Sequence, residues 1–238
     1  MNKENTGKQN ISIIFMQAVL PLCIYYLVNQ SVVILGISVL GRRMHDLQSN
    51  STKEMYLKTL VQMAGMFMAA FSVLPFYKRE NRILQETGMI RKENGLSFKS
   101  SIIIVLLGAF FSLGLNFLFS FLGILQSSEN YNQVAQRQFA LPFWLAFLFY
   151  GMLSPWAEEL MFRGIFYQVL KRNVAEMAAV FGSAIMFGAI HGNVVQMLYG
   201  SIMGVAMALL YKRYQNLLAP ILFHGAANTA IYAITYFF

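Results

Sequence analysis

Apolar runs about as long as a bilayer is thick recur from one end of this chain to the other, and they leave few folds open. A membrane-spanning helix needs roughly 17 to 25 apolar residues. In lipid, backbone N–H and C=O groups must be satisfied inside the spanning structure, so helices are the natural solution. Such runs fall near 11–40, 57–76, 101–125, 140–170, 176–192, 194–211 and 217–238. The composition agrees: 57% of the 238 residues are hydrophobic and only 12% charged, about half the charge of an average soluble domain. The sequence predicts an all-α, polytopic transmembrane bundle of about seven helices. An eighth is allowed because the first run is long, contains Pro21 and carries the polar Asn29, Gln30 and Ser31.

Residues 1–238 read as one integral membrane domain, with N-terminal helices over 1–139 and a second half over 140–238. The long polar connection at 77–100 carries Ile83, Leu84, Met89 and Ile90 among its charges. That pattern suggests an interfacial helix and not a separate soluble domain. The polar first ten residues do not resemble a cleavable signal, so the first span is expected to be retained. Cys23 is the single cysteine, which excludes an internal disulfide and a thiolate metal site.

The net charge of +8 sits in the breaks between runs, where it suits anionic lipid and not nucleic acid. With the N-terminus inside, Lys3, Lys8, Lys78, Arg79, Arg82, Arg91, Lys92, Lys99, Lys171, Arg172, Lys212 and Arg213 face the cytoplasm; Arg42, Arg43, Lys53, Lys58 and Arg137 face the other side. Twelve against five favours a cytoplasmic N-terminus in a cell membrane. Small size and sparse loops suggest a bacterial plasma membrane.

Charges inside the apolar runs are fewer and more telling. In "SPWAEELMFRGIF", residues 154–166, Glu158, Glu159 and Arg163 have no loop beside them. His191 in "MFGAIHG" and His224 and Asn228 in "LFHGAANTA" are also intramembrane. Such groups are costly in hydrocarbon and usually face a bundle interior or a wet cavity. Glu159 and Arg163, four apart, share a helix face and are expected to form a structural ion pair. Glu158 is turned about 100° away and lacks a local counter-ion, which suits a general base or acid. Pro155 should kink the span and open it near Glu158. Phe187 and His191, and His224 and Asn228, each share a face at a spacing of four.

Depth brings these groups together. At 1.5 Å per residue, Glu158 lies about 20 Å from Lys171, His191 about 22 Å from Glu176, and His224 and Asn228 about 16 and 22 Å from Arg213. One carboxylate, two imidazoles and a carboxamide at one level make a hydrolytic set. Glu158 would deprotonate water with His191 helping to hold it, while His224 and Asn228 would donate to the oxygen of a tetrahedral intermediate. Ser154 lies one turn before Glu158 but has no histidine on its own helix, so a covalent serine mechanism is disfavoured. Glu158, His191 and His224 could instead ligate zinc. The two-ligand HExxH turn is absent, and a metal-free site with no cofactor is preferred.

The motifs EExxxR (158–163), FxxxH (187–191) and HxxxN (224–228), in that order on successive helices, resemble the CPBP family, also called the CAAX protease or Abi family. The resemblance covers roughly 140–230. It implies an intramembrane protease whose catalytic positions match Glu158, His191, His224 and Asn228, with Glu159 and Arg163 completing the first motif and Phe187 opening the second. It also implies a glutamate-activated water and a membrane-embedded or lipidated peptide substrate, since eukaryotic members trim prenylated CAAX proteins. Cleavage is expected within the membrane, toward its cytoplasmic half. A second class of function, a bacteriocin self-immunity or regulatory partner acting without proteolysis, is associated with some members of that family.

Overall fold

A computed structural model describes residues 11–44, 51–90 and 95–237. Lys3, Lys8, Arg91 and Lys92, which enter the orientation count, lie outside these residues. The described chain is an all-α helical bundle. Its elements are α1 (Ile11–Met44), α2 (Ser51–Glu86), α3 (Phe98–Phe121), α4 (Glu129–Phe139), α5 (143–173), α6 (Glu176–Ala189), α7 (Val194–Tyr214) and α8 (Leu218–Phe237). By length and composition α1, α2, α3 and α7 are each able to cross a bilayer, and the chain is an integral membrane protein.

α1 runs unbroken through Pro21 and the polar triplet after it, so the first run is a single helix. The polar stretch after residue 76 is not an interfacial helix of its own. It continues α2 to Glu86, because the helix carries a buried anchor there: Glu80 is 3% exposed and pairs with Arg172 at 3.1 Å. Arg172 Nη2 also donates to Gln17 Oε1 at 2.6 Å, so the ends of α1, α2 and α5 are tied at one level. Nearby, Glu176 takes Lys171 at 3.2 Å and Lys212 at 3.1 Å, joining the ends of α5, α6 and α7. These contacts gather Lys171, Arg172 and Lys212 at one end of the bundle.

α3 shows how lipid shapes an element. Its buried residues are Ile104, Gly108, Ser112, Leu115 and Phe119, spaced three or four apart, while Phe110, Phe117 and Phe121 point outward. That inward stripe packs on α8. A Cβ on Gly108 would strike the Phe223 backbone, and Ser112 Oγ donates to the Ala227 carbonyl at 3.1 Å. Close approach and interhelical hydrogen bonds replace the hydrophobic drive that lipid removes. Gly123, at φ 71°, ends the helix, a left-handed position that glycine takes without steric cost.

α4 was not among the predicted spans. Ser128 caps it, accepting from the Tyr131 N–H at 3.3 Å. Tyr131, Ala135, Gln138 and Phe139 line its cavity side, at a helical spacing, and Glu129, Asn132, Gln133 and Gln136 are exposed. At its end the Tyr232 hydroxyl donates to the Gln138 carbonyl and the Phe139 and Tyr232 rings lie 5.0 Å apart.

The predicted span 176–192 is shorter than expected. α6 stops at Ala189, and His191 lies in the turn to α7, with Gly192 at φ 76° and the Asn193 side chain accepting from the Gln196 N–H at 2.8 Å. α6 and α7 form a tight hairpin. A Cβ on Gly188 would meet the Met197 carbonyl and Ser201, and one on Gly204 would sit 2.9 Å from the Ala184 Cα. Non-helical backbone at such depth is tolerated where it lines a cavity, and this turn does.

Candidate active site

The helix that carries the charged motif is built unusually. From 143 to 173 it is continuous but changes register twice, with π-helical turns at Phe147–Leu153 and Phe162–Tyr167 around the α-helical Ser154–Met161. The expected opening near Glu158 is replaced by this first π-turn. The Ser154 N–H donates to the Phe149 carbonyl, five residues back. The next donor in that register would be residue 155, a proline, which has no N–H. The Tyr150 carbonyl is therefore left over, and Asn228 Nδ2 on α8 donates to it at 2.9 Å. Pro155 thus acts by freeing an acceptor that fixes Asn228.

Glu159 and Arg163 pair as their spacing predicts. Arg163 Nη1 donates to Glu159 Oε1 at 2.7 Å and both side chains are fully buried. Two further contacts hold the guanidinium. Nη2 donates to the Gly204 carbonyl on α7 at 3.0 Å, and the Phe187 ring on α6 lies 4.7 Å from Cζ, a cation–π contact. Phe187 also packs edge-on against His224 and His191. Its role is to cover this buried charge and to wedge the two histidines.

The reading of Glu159 as purely structural is incomplete. His224 Nδ1 lies 3.0 Å from the same Oε1. An ionised carboxylate only accepts, so Nδ1–H donates and Nε2 is left facing outward. That Nε2 lies 3.9 Å from Glu158 Oε2. One imidazole therefore spans two consecutive glutamates. Nor is Glu158 bare: the Ser154 hydroxyl donates to its Oε1. The spacing of four between Ser154 and Glu158 is what permits this contact.

His191 Nδ1 lies 2.9 Å from the Phe187 carbonyl. Since the carbonyl accepts, Nδ1–H donates, and a neutral His191 keeps its Nε2 lone pair free. Glu158, His191, His224 and Asn228 all line one cavity of about 320 Å³, together with Ser154 and Phe187. Glu159 and Arg163 lie behind it. Among the described residues no group of three or more His, Cys, Asp or Glu side chains is placed to hold one metal ion.

The cavity lies toward one end of the bundle. Its walls include Tyr131, Ala135, Gln138 and Phe139 of α4, which lies between the end of α3 and the start of α5. That is the end of the bundle away from Lys171, Arg172 and Lys212.

Comparison with known proteins points the same way. Residues 140–230 match the family model described as "Type II CAAX prenyl endopeptidase Rce1-like". The chain is 29% identical over 109 residues to a protein of Bacillus subtilis (strain 168) described as "Putative membrane peptidase YdiL"; the match covers 46% of this chain and 44% of that protein. No solved structure matches. The matched segment contains Glu158, Glu159, Arg163, Phe187, His191, His224 and Asn228.

Proposed function

We propose, on the match of residues 140–230 to the Rce1-like family model, that the chain is an intramembrane endopeptidase using a water activated by Glu158 and His224. One observation carries this reading: Glu158 Oε2 and His224 Nε2 lie 3.9 Å apart on the wall of a cavity. Two acceptors at that separation both reach a single water oxygen, at about 2.8 Å from each.

In the proposed reaction Glu158 takes a proton as the water oxygen attacks the peptide carbonyl carbon. The carbonyl π electrons move to its oxygen, which accepts from the second N–H of Asn228 Nδ2; the first already binds the Tyr150 carbonyl. Collapse of the tetrahedral intermediate breaks the C–N bond, and the proton held by Glu158 passes to the leaving amine. Ser154 fixes one oxygen of Glu158, Glu159 fixes the tautomer of His224, and Arg163 neutralises Glu159. His191 offers Nε2 to the substrate. These roles differ from the sequence expectation, which paired His191 with the water and gave His224 to the oxyanion. With Nδ1–H given to Glu159, neutral His224 has no proton left on Nε2 to donate.

The reaction in this reading needs no metal, because Glu158 takes the proton from the water itself. The distribution of basic residues supports a cytoplasmic N-terminus; the cavity then opens under α4 toward the outer leaflet, and the substrate is a membrane-associated peptide. The test is co-expression with membrane peptides: wild type cleaves at least one that Glu158→Ala leaves intact. Equal processing by both removes the assignment.

A further inference from the structure

The cavity wall carries more polarity than the reaction uses. Gln62 on α2 and Asn116 on α3 line it, each the lone carboxamide in an apolar run, "LVQMAGM" and "SLGLNFLF". Gln196, at the start of α7, lines it as well; its Oε1 accepts from Asn193 Nδ2 at 2.5 Å, which leaves its own NH₂ to face outward. Neither Gln62 nor Asn116 makes a side-chain hydrogen bond among the described residues. Polar side chains in a span are expensive when they face lipid or nothing. Three of them from three helices, around one cavity, call for a ligand that hydrogen-bonds in both directions.

A carboxamide offers both a donor and an acceptor, the complement of a peptide unit. Inside a membrane such units become available only when the substrate is unwound, because a helix satisfies its own. Among the described residues the lining holds no lysine or arginine, and Glu158 is its one carboxylate. A terminal carboxylate brought here would meet repulsion from Glu158 and no cation among the described lining residues. A CAAX substrate is a prenylated cysteine three residues from such a terminus.

Resting on the endopeptidase reading above, we infer that this chain takes an unlipidated peptide segment in extended form, held through its backbone by Gln62, Asn116 and Gln196, and cuts an internal bond. Recognition is then tolerant of side chains and intolerant of a nearby free C-terminus.

The experiment uses the full chain in lipid nanodiscs with two degenerate peptide pools. One pool is acetylated and amidated; the other carries an S-farnesyl cysteine three residues before a free carboxylate. The expected result is cleavage of the capped pool at internal bonds. Asn116→Leu and Gln62→Leu, which suit a span and should keep the melting temperature, raise KM about tenfold and leave kcat nearly unchanged. Cleavage confined to the farnesylated pool, or an unchanged KM in both leucine variants, overturns the inference while leaving proteolysis intact. If neither pool is cleaved, photo-crosslinking to Glu158→Gln decides. Capture of the capped pool that Asn116→Leu abolishes sustains the backbone cleft, and no capture removes it.

Discussion

Glu159 holds His224. Its Oε1 lies 3.0 Å from the imidazole Nδ1 and 2.7 Å from Arg163 Nη1, so one buried oxygen serves an ion pair and sets the tautomer of His224. Removing its charge leaves Arg163 buried and uncompensated, a loss of about 3–5 kcal/mol. Glu159→Gln should therefore lower both the unfolding midpoint and activity. Glu158→Gln, on the cavity wall, should abolish turnover with the midpoint nearly unchanged. Thermal unfolding in detergent beside a cleavage assay separates the two, and equal destabilisation would remove the division of roles.

Ser154 is the donor to Glu158 Oε1 and is buried. A hydrogen bond to a charged group contributes about 1.5–3 kcal/mol. Ser154→Ala should thus lower kcat at least about tenfold with little change in KM. Ser154→Thr, which keeps the hydroxyl, should restore most of it. Loss in both variants with a matching fall in melting temperature would mean that the position matters only for packing.

If Glu158 and His224 activate water directly, as proposed, activity should be indifferent to chelation. Purified active protein is expected to carry far less than one zinc per chain by elemental analysis, and to keep its activity in EDTA. Activity lost to the chelator and restored by zinc would require Glu158, His191 and His224 to rearrange.

The α6–α7 hairpin positions His191 through backbone proximity. At Gly188 a Cβ would meet the Met197 carbonyl and Ser201, neither of which yields easily, so Gly188→Ala should cost about 1–3 kcal/mol and reduce turnover. Gly114, with nothing within 4 Å of its Cβ position, is the control. Gly114→Ala in the middle of α3 should be neutral or stabilising by up to about 1 kcal/mol. Chemical denaturation of both variants reads the difference.

What could be read from the residues alone follows from the range of each interaction. Spans and the Glu159–Arg163 pair depend on local spacing, so period and length revealed them. The bond from His224 to Glu159 joins residues 65 apart, and no local pattern encodes it. The first π-turn has no local signature, because a switch from four- to five-residue hydrogen bonding there depends on what the freed Tyr150 carbonyl meets, here Asn228. α6 was drawn too long because "MFGAIHG" is apolar enough to continue; tight packing against α7 through Gly188 and the left-handed Gly192 decide otherwise. Polar residues after Phe76 suggested a break in α2, yet the buried Glu80–Arg172 pair, also a long-range contact, carries the helix on.

Asn228 joins structure and chemistry in one side chain, and a double-mutant cycle can separate them. Its Nδ2 donates to the Tyr150 carbonyl, which Pro155 leaves without a backbone donor. Asn228→Ala should leave that carbonyl unsatisfied, at about 1–3 kcal/mol. Pro155→Ala supplies an N–H at the position that the π-register, already used by Ser154 and Phe149, would direct at Tyr150. In that background Asn228→Ala should cost at least about 1 kcal/mol less, since the carbonyl then has its own donor. Turnover should behave differently. An oxyanion donor is worth on the order of a hundredfold in kcat, and restoring a backbone hydrogen bond does not replace it. The loss in turnover should therefore persist in the double variant while stability recovers. Recovery of both would assign Asn228 to the fold alone. Additive stability losses would remove the link between Pro155, the freed carbonyl and Asn228.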